Sequence, residues 1–272
     1  MSAFSVLMSV YCKENPEFFD ISLKSNLETS SVIPDEFVLI CDGDLTPELE
    51  IIISKYKTKY PERFKVYRKE NGGLGKALSY GLPKCSYSLV ARSDSDDVCA
   101  PERFEKQVTF LDNNPDVSIL GSYIDEFDGD WTHPMQIKEM PLNHDELYEM
   151  AKFRNPLNHM SVMMRKDDII NIGSYRHIPY VEDYDLWVRA MCNGLRIANI
   201  GEVLVHARTG AGMIKRRGTK KYIKSWHRLN MYMIHKKMIG YPTYIRNMFM
   251  ITVFVFMPVG IKELLYKKKL RK

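Results

Sequence analysis

The stretch Tyr87-Ser88-Leu89-Val90-Ala91-Arg92-Ser93-Asp94-Ser95-Asp96-Asp97 is an apolar run that ends in a cluster of carboxylates. Tyr87–Arg92 reads as a buried strand, which places the acids at its carboxyl end. Crowding acids together costs Coulomb repulsion, so a positive partner is expected beside them. Mg²⁺ or Mn²⁺ suits the position, because hard cations prefer carboxylate oxygen and share their shell with substrate phosphates. The plainer reading of Asp94–Asp97 is an acidic turn before a helix at Pro101. The location at a strand end weighs against it, since ligands of α/β sheets bind there.

Working outward, strand and helix signals alternate on both sides. Ser5–Tyr11, Phe37–Cys41 and Phe64–Arg68 read as earlier strands, and Val117–Ser122 as a later one. Asn15-Pro16-Glu17 and Thr46-Pro47-Glu48 each combine a capping side chain, a proline at the first helical position and an acid at the positive dipole end. Phe19, Leu23 and Leu27 give the first of these helices a core stripe. Further helices are expected over Gly75–Cys85 and Pro101–Asn113. Repeated β-α-β units predict an α/β fold with a mostly parallel sheet flanked by helices. The segments at its carboxyl ends are Tyr11–Asn15, Asp42–Leu45, Lys69–Gly75 and Ser93–Ala100.

The second half is less regular. A hairpin is expected over Ile124–Trp131, a helix over Asp145–Phe153 and a strand over Met160–Met164. A short helix starts at Lys166. Then come a helix over Glu182–Asn193, a strand over Ile197–Val205 and a helix over Thr219–His235.

Three more segments carry chemistry. Asp42, in Cys41-Asp42-Gly43-Asp44, can accept hydrogen bonds from a base or a ribose, although Gly43 also suits a plain turn. Lys69–Ala77 includes Asn71-Gly72-Gly73-Leu74-Gly75, where glycines let backbone approach an anion at a helix start. It matches neither the P-loop nor the dinucleotide-binding spacing. In Tyr180–Trp187, Glu182 and Asp183 stand at a helix N-terminus; dipole attraction explains acids there, and so does a general base.

Taken in order, Ser9-Val10-Tyr11, Asp42-Gly43, Asn71–Gly75, Asp94–Asp97 and Glu182-Asp183-x-x-Leu186-Trp187 resemble family 2 glycosyltransferases of the bacterial O-antigen and capsule branch. Arg92, Pro101-x-Arg103-Phe104-x-x-Gln107 and Asn155-Pro156-Leu157-Asn158-His159 add to the resemblance, which covers residues 4–208. It implies a GT-A fold and a UDP-sugar donor. Asp42 would bind the uracil or ribose. Asn71, Gly75 and Arg92 would shape the donor pocket. Asp94 would contact ribose or sugar, and Asp96, with Asp94, would hold Mn²⁺ or Mg²⁺ at the diphosphate. Asp183 would be the base, assisted by Glu182, in one inverting displacement. The family commonly has two adjacent acids after the second strand; here the first is Cys41. The Q-x-x-R-W signature of processive synthases is missing, which points to addition of one sugar. A hexose, glucose or galactose, transferred in β-1,3 linkage is the expectation from this branch.

Bulk properties agree with one large domain. The chain has 272 residues, 45% of them hydrophobic, and a net charge of +5. We divide it into a catalytic domain, 1–218, with a nucleotide-sugar half, 1–123, and an acceptor half, 124–218. The remainder, 219–272, reads as a helical, basic and apolar membrane-associating segment. Lys and Arg concentrate in the last third, which suggests an anionic partner. The apolar run Met248–Ile261, flanked by Arg246, Lys262 and Lys267–Lys269, is too short to span a bilayer and suits an interfacial helix on anionic lipid. A helix packed on the domain is the alternative. A lipid-linked acceptor follows from the resemblance, undecaprenyl diphosphate carrying N-acetylglucosamine. A nucleic-acid partner would leave the acidic cluster unexplained, so none is expected. Five unpaired cysteines and the lack of a signal-like N-terminus fit a cytoplasmic, peripheral position on the inner membrane.

His159 reads equally as a core histidine or as a contact to acceptor or diphosphate. Asp125, Asp128 and Asp130 suggest an exposed hairpin rather than a calcium loop. Gly210–Gly218, with Lys215, Arg216 and Arg217, reads as a basic loop able to cover the diphosphate. The alternatives are a sugar-phosphate nucleotidyltransferase, which would need a glycine-rich, Arg-containing loop where Tyr11–Asn15 stands, and a non-catalytic nucleotide-sugar-binding scaffold. Asp96 and Asp183 argue against the scaffold.

Overall fold

The structure, a computed structural model, describes residues 1–209, 219–258 and 260. Four strands, β1 (Phe4–Val10), β2 (Glu36–Asp42), β3 (Phe64–Lys69) and β4 (Leu89–Ser93), run parallel in the order β3-β2-β1-β4. Along β1, Phe4, Val6, Met8 and Val10 enter one core and Leu7 the other, the alternation of a strand covered on both faces. The strand order reverses beside β1, so the crevice beyond β1 and β4 is where a ligand belongs.

The helices α1 (Pro16–Leu27) and α2 (Pro47–Lys59) start as their sequences dictate. The Asn15 side chain accepts from Glu17 N and Phe18 N at 2.8 and 3.3 Å. Thr46 caps α2, and Phe19, Leu23 and Leu27 are buried under α1. The helix expected over Gly75–Cys85 is shorter: α3 (Leu74–Gly81) gives way to a 3₁₀ turn, Leu82–Lys84, where Pro83 lacks the N–H that an α-helix needs. α3 lies close on the sheet. A Cβ at Gly81 would stand 2.6 Å from Leu7 Cδ1 and 2.7 Å from Ile40 Cγ1.

Beyond β4, a two-residue strand β5 (Val98–Cys99) and the helix α4 (Arg103–Asn113) lead to β6 (Val117–Phe127). β6 runs straight through the start of the expected hairpin. Its whole length is paired with β9 (Arg196–Arg208), which holds it extended. The return strand is β7 (Gln136–Lys138), opposite Ile124–Glu126, so the turn is longer than Ile124–Trp131 allowed. α5 (His144–Ala151), β8 (Met163–Arg165), α6 (Lys166–Asn171) and α7 (Glu182–Cys192) complete the core region. β8 joins the two halves, antiparallel to both β4 and β6. One mixed sheet therefore runs through both.

Two helices follow, α8 (Lys220–His235) and α9 (Tyr241–Phe256). Trp226, Leu229 and Met233 of α8 share a core with Tyr184 and Trp187 of α7. α9 has two faces. Asn247 and Val255 are buried, with Tyr244, Met248, Ile251 and Phe254 packed beside them. Tyr241, Ile245, Phe249, Val253 and Phe256 are exposed, along one stripe. One face of this helix is thus packed on the domain, and the other is apolar and exposed. Among the described residues, no helix is long and apolar enough to cross a membrane. The basic residues expected in Gly210–Gly218 and at 262–272 lie outside the described residues.

Candidate active site

β2 ends in Asp42, whose carboxylate organises the glycine loop. Oδ1 accepts from Lys69 Nζ at 2.6 Å and from Gly72 N at 2.9 Å, and Oδ2 accepts from Gly73 N at 2.8 Å. Asn71 Nδ2 closes the loop onto Asp42 O at 2.8 Å. A carboxylate has about four acceptor positions, so one is left for a ligand. Gly75 stands at the start of α3, against the second catalytic candidate. A Cβ there would be 3.3 Å from Glu182 Cβ and 3.1 Å from Arg176 O.

β4 delivers the acidic cluster. Asp94, Asp96 and Asp97 each offer an oxygen within 4.8 Å of the others. Burial, then the charges of Asp94 and Glu14, pushes the Asp96 carboxyl up to about 7. Burial, then Asp94 and Asp96, raises Asp97 well above the usual range. Asp96 and Asp97, buried and this close to other carboxylates, resist full ionisation. Asp97 Oδ1 accepts from Arg208 N at 2.8 Å, while its buried Oδ2 has no partner among the described residues. The donor set is all hard oxygen, with one atom waiting, and fits a divalent cation. Asp97 therefore joins Asp94 and Asp96. Sequence reasoning quoted it inside the cluster but gave it no role; the missing signal was that its partner, Arg208, lies more than a hundred residues away.

Arg92 is buried next to these acids and donates from Nη2 to Asp94. Its Nε and Nη1 have no partner among the described residues. The strand end is pinned by the motif that follows it. Arg103 donates from Nη2 to Arg92 O at 2.7 Å and from Nη1 to Ser93 Oγ at 3.2 Å, and its Nε is held by Gln107 Oε1 at 3.1 Å. Gln107 in turn donates to Ser161 O at 2.7 Å. The Arg103 and Gln107 positions thus serve placement of the cluster.

At the head of α7, Asp183 Oδ2 accepts from Asn155 Nδ2 at 2.5 Å, and Oδ1 accepts from Tyr184 N at 2.8 Å. Burial, then the Asp183 charge, pushes Glu182 up to about 7. Arg189 supports the helix from inside, paired with Asp185 at 2.7 Å and donating to Ile172 O and Ser174 O. Tyr175 is buried near both groups. Burial raises its hydroxyl, and the charges of Arg92, Asp183 and Asp94 all reach it. Charges of the acidic cluster and of the head of α7 thus both act on this one hydroxyl.

His159 is buried beside Tyr175. Its Nε2 is 2.9 Å from Tyr175 Oη, and its ring meets the Trp187 edge-on at 5.8 Å. Burial, then the Arg92 charge, drives its pKa well below the usual value, so the ring is neutral. It behaves as a satisfied core histidine. Asp125 pairs with His206 at 2.8 Å, and Asp130 binds its own turn, so neither belongs to a cation loop.

The family model described as glycosyl transferase family 2 matches residues 5–173. The chain is a family 2 glycosyltransferase. The glycosyltransferase AmsE of amylovoran biosynthesis, from Erwinia amylovora, is 38% identical, over 97% of this chain and 98% of its own. The UDP-Gal:alpha-D-GlcNAc-diphosphoundecaprenol beta-1,3-galactosyltransferase of Escherichia coli is 35% identical, over 99% and 97%. Among solved structures, Staphylococcus aureus TarS 1–349 with UDP-GlcNAc superposes with a TM-score of 0.68 at 18% identity, covering 98% of this chain and 76% of that one. This chain spans 44% of the longer TarS structure. The mannosyltransferase PcManGT of Pyrobaculum calidifontis, in complex with GDP-Man and Mn²⁺, gives 0.64 at 11% identity, covering 98% and 79%. The fold is GT-A. The glycosyltransferase family sets aside the nucleotidyltransferase alternative.

Proposed function

We propose that this glycosyltransferase moves one hexose, glucose or galactose, from a UDP-sugar to a lipid-linked acceptor such as N-acetylglucosamine-diphospho-undecaprenol. The product is a β-1,3 linkage in the repeat unit of an O-antigen or related polysaccharide. The observation that carries the reading is the cluster of Asp94, Asp96 and Asp97 carboxylates at the carboxyl end of β4. The activity named for the Escherichia coli relative, similar over nearly the whole chain, supports donor, acceptor and linkage.

Asp42 and the Asn71–Gly75 loop frame the nucleoside side. Arg92 Nε and Nη1, without a partner among the described residues, would donate to the sugar or the diphosphate. Asp94, Asp96 and Asp97 would hold Mn²⁺ or Mg²⁺, which when bound neutralises charge collecting on the departing diphosphate. Asp183, oriented by Asn155, takes the proton of the attacking acceptor hydroxyl while Glu182 assists. The hydroxyl oxygen bonds to the anomeric carbon as the bond to UDP breaks, inverting the configuration. A peripheral position on the cytoplasmic face of the bacterial inner membrane, where such acceptors reside, is supported by the exposed apolar stripe of α9.

The test is transfer from a panel of labelled UDP-sugars to synthetic N-acetylglucosamine-diphosphate-lipid, with Mn²⁺, Mg²⁺ or EDTA, for wild type and Asp96→Ala. Product from one donor, abolished by EDTA and in the variant, is expected. Product indifferent to both overturns the metal role. No product from any donor overturns the acceptor assignment.

A further inference from the structure

The loop that leads into α7 forms one wall of a groove of ≈ 450 Å³, with α8 as the other. Ile178 and Pro179 line the loop side; Lys221, Lys224, His227 and Arg228 line the helix side. Lys221, Lys224 and Arg228 recur at helical spacing on the exposed face of α8. Among the described residues no acid lines the groove, and these three make no ion pair. An unpaired cationic groove of this kind is complementary to an anion with several charges.

Two relationships say which anion. Pro179 is four residues before Asp183, so their Cα atoms are at most about 14 Å apart. A diphosphate one sugar away from the reacting hydroxyl falls within that limit. The intervening Tyr180 has φ of +72°, a costly conformation for a side-chain-bearing residue, and its ring is held edge-on by Tyr222 of α8 at 6.0 Å. The wall of the groove is thus fixed relative to the proton-accepting acid. On the other side, His227 Nδ1 lies 3.0 Å from Tyr244 Oη, joining the groove to α9. The exposed stripe Tyr241, Ile245, Phe249, Val253 and Phe256 continues from there. Acid, cationic groove and apolar stripe follow one another as sugar, diphosphate and lipid do in a lipid-linked sugar.

We propose that the groove between the 178–180 loop and α8 binds the diphosphate of the lipid-linked acceptor through Lys221, Lys224 and Arg228, with its lipid directed along α9. This rests on the acceptor class proposed above.

The test uses the full chain and a water-soluble acceptor, N-acetylglucosamine-α-diphosphate on a short alkyl chain, without vesicles. Lys224→Ala and Arg228→Ala should each raise the acceptor KM roughly tenfold, the worth of one charge-assisted hydrogen bond, and leave the donor KM unchanged. The wild type's preference for this acceptor over a phosphate-free N-acetylglucosamine glycoside should collapse in the double variant, and Lys224→Arg should retain it. Unchanged Tm in the variants separates this from misfolding. Acceptor KM unchanged in both variants overturns the inference. So does loss of binding to phosphatidylglycerol vesicles with the soluble-acceptor KM intact, which would assign the cations to lipid headgroups. A wild type that transfers to neither acceptor would overturn the acceptor class itself, a distinct result.

Discussion

Asn155 Nδ2 donates to Asp183 Oδ2 at 2.5 Å and fixes the direction in which the acid at the head of α7 points. A proton acceptor turned away by about an ångström costs on the order of 100-fold in rate. Asn155→Ala should therefore lower kcat roughly 10–100-fold with the donor KM unchanged. Asp183→Asn should cost more, roughly 10²–10⁴-fold, as expected for loss of a general base. Steady-state kinetics of both variants check this. If Glu182→Gln proves the more damaging of the two acids, the base has been assigned to the wrong neighbour.

Asp97 should matter to metal binding as much as Asp96 does. Its Oδ2 is buried and unpartnered, and its Oδ1 is held by Arg208 N. Mn²⁺ at about 100 times its Kd should raise the wild-type Tm by roughly 5–10 °C. Thermal melts of Asp96→Asn and Asp97→Asn should show little of that rise. A full Mn²⁺ shift in Asp97→Asn would demote it to a scaffold for β9.

Glu182 gives the fold a pH signature. Burial lifts its carboxyl from 4.5 to about 7, so between those values the folded state holds the proton more tightly than the unfolded chain. Its contribution to stability is complete below about 4.5 and is lost as pH rises through about 7. Replacing it by Gln removes that loss. The Tm advantage of Glu182→Gln should grow across this window and level off above it. A constant advantage would mean that the carboxyl is ionised in the folded protein throughout.

Gly81 is required by packing rather than by a turn. The Cβ of Gly81→Ala would press on Leu7 and Ile40, both fully buried, at 2.6 and 2.7 Å. Overpacking of this kind costs about 1–3 kcal/mol, measurable by urea titration. Stability equal to wild type would show that α3 can lift from the sheet without penalty.

Much of this was readable from local rules. Asn15-Pro16 and Thr46-Pro47 caps, the Phe19–Leu27 stripe and the acids ending β4 are written in adjacent residues, and the structure follows them. What was not readable depends on partners distant in sequence. β5 is two residues long and has no period of its own; it exists because β9 pairs with it. β6 overran the expected hairpin for the same reason. Asn155 sat in a quoted motif, but its role needs α7 beside it. The bareness of one face of α9 and the packing of the other could not be separated in an apolar run that carries both.

The burial of His159 has one more consequence. With that imidazole locked neutral against Tyr175 and Trp187, the candidate-site groups among the described residues that are raised toward neutrality are the Asp96 and Glu182 carboxyls. Carboxyl ionisation carries almost no heat, whereas imidazole ionisation carries a great deal. An activity profile with a midpoint near neutral pH would look like a histidine's, yet that midpoint should hardly move between a cold and a warm assay.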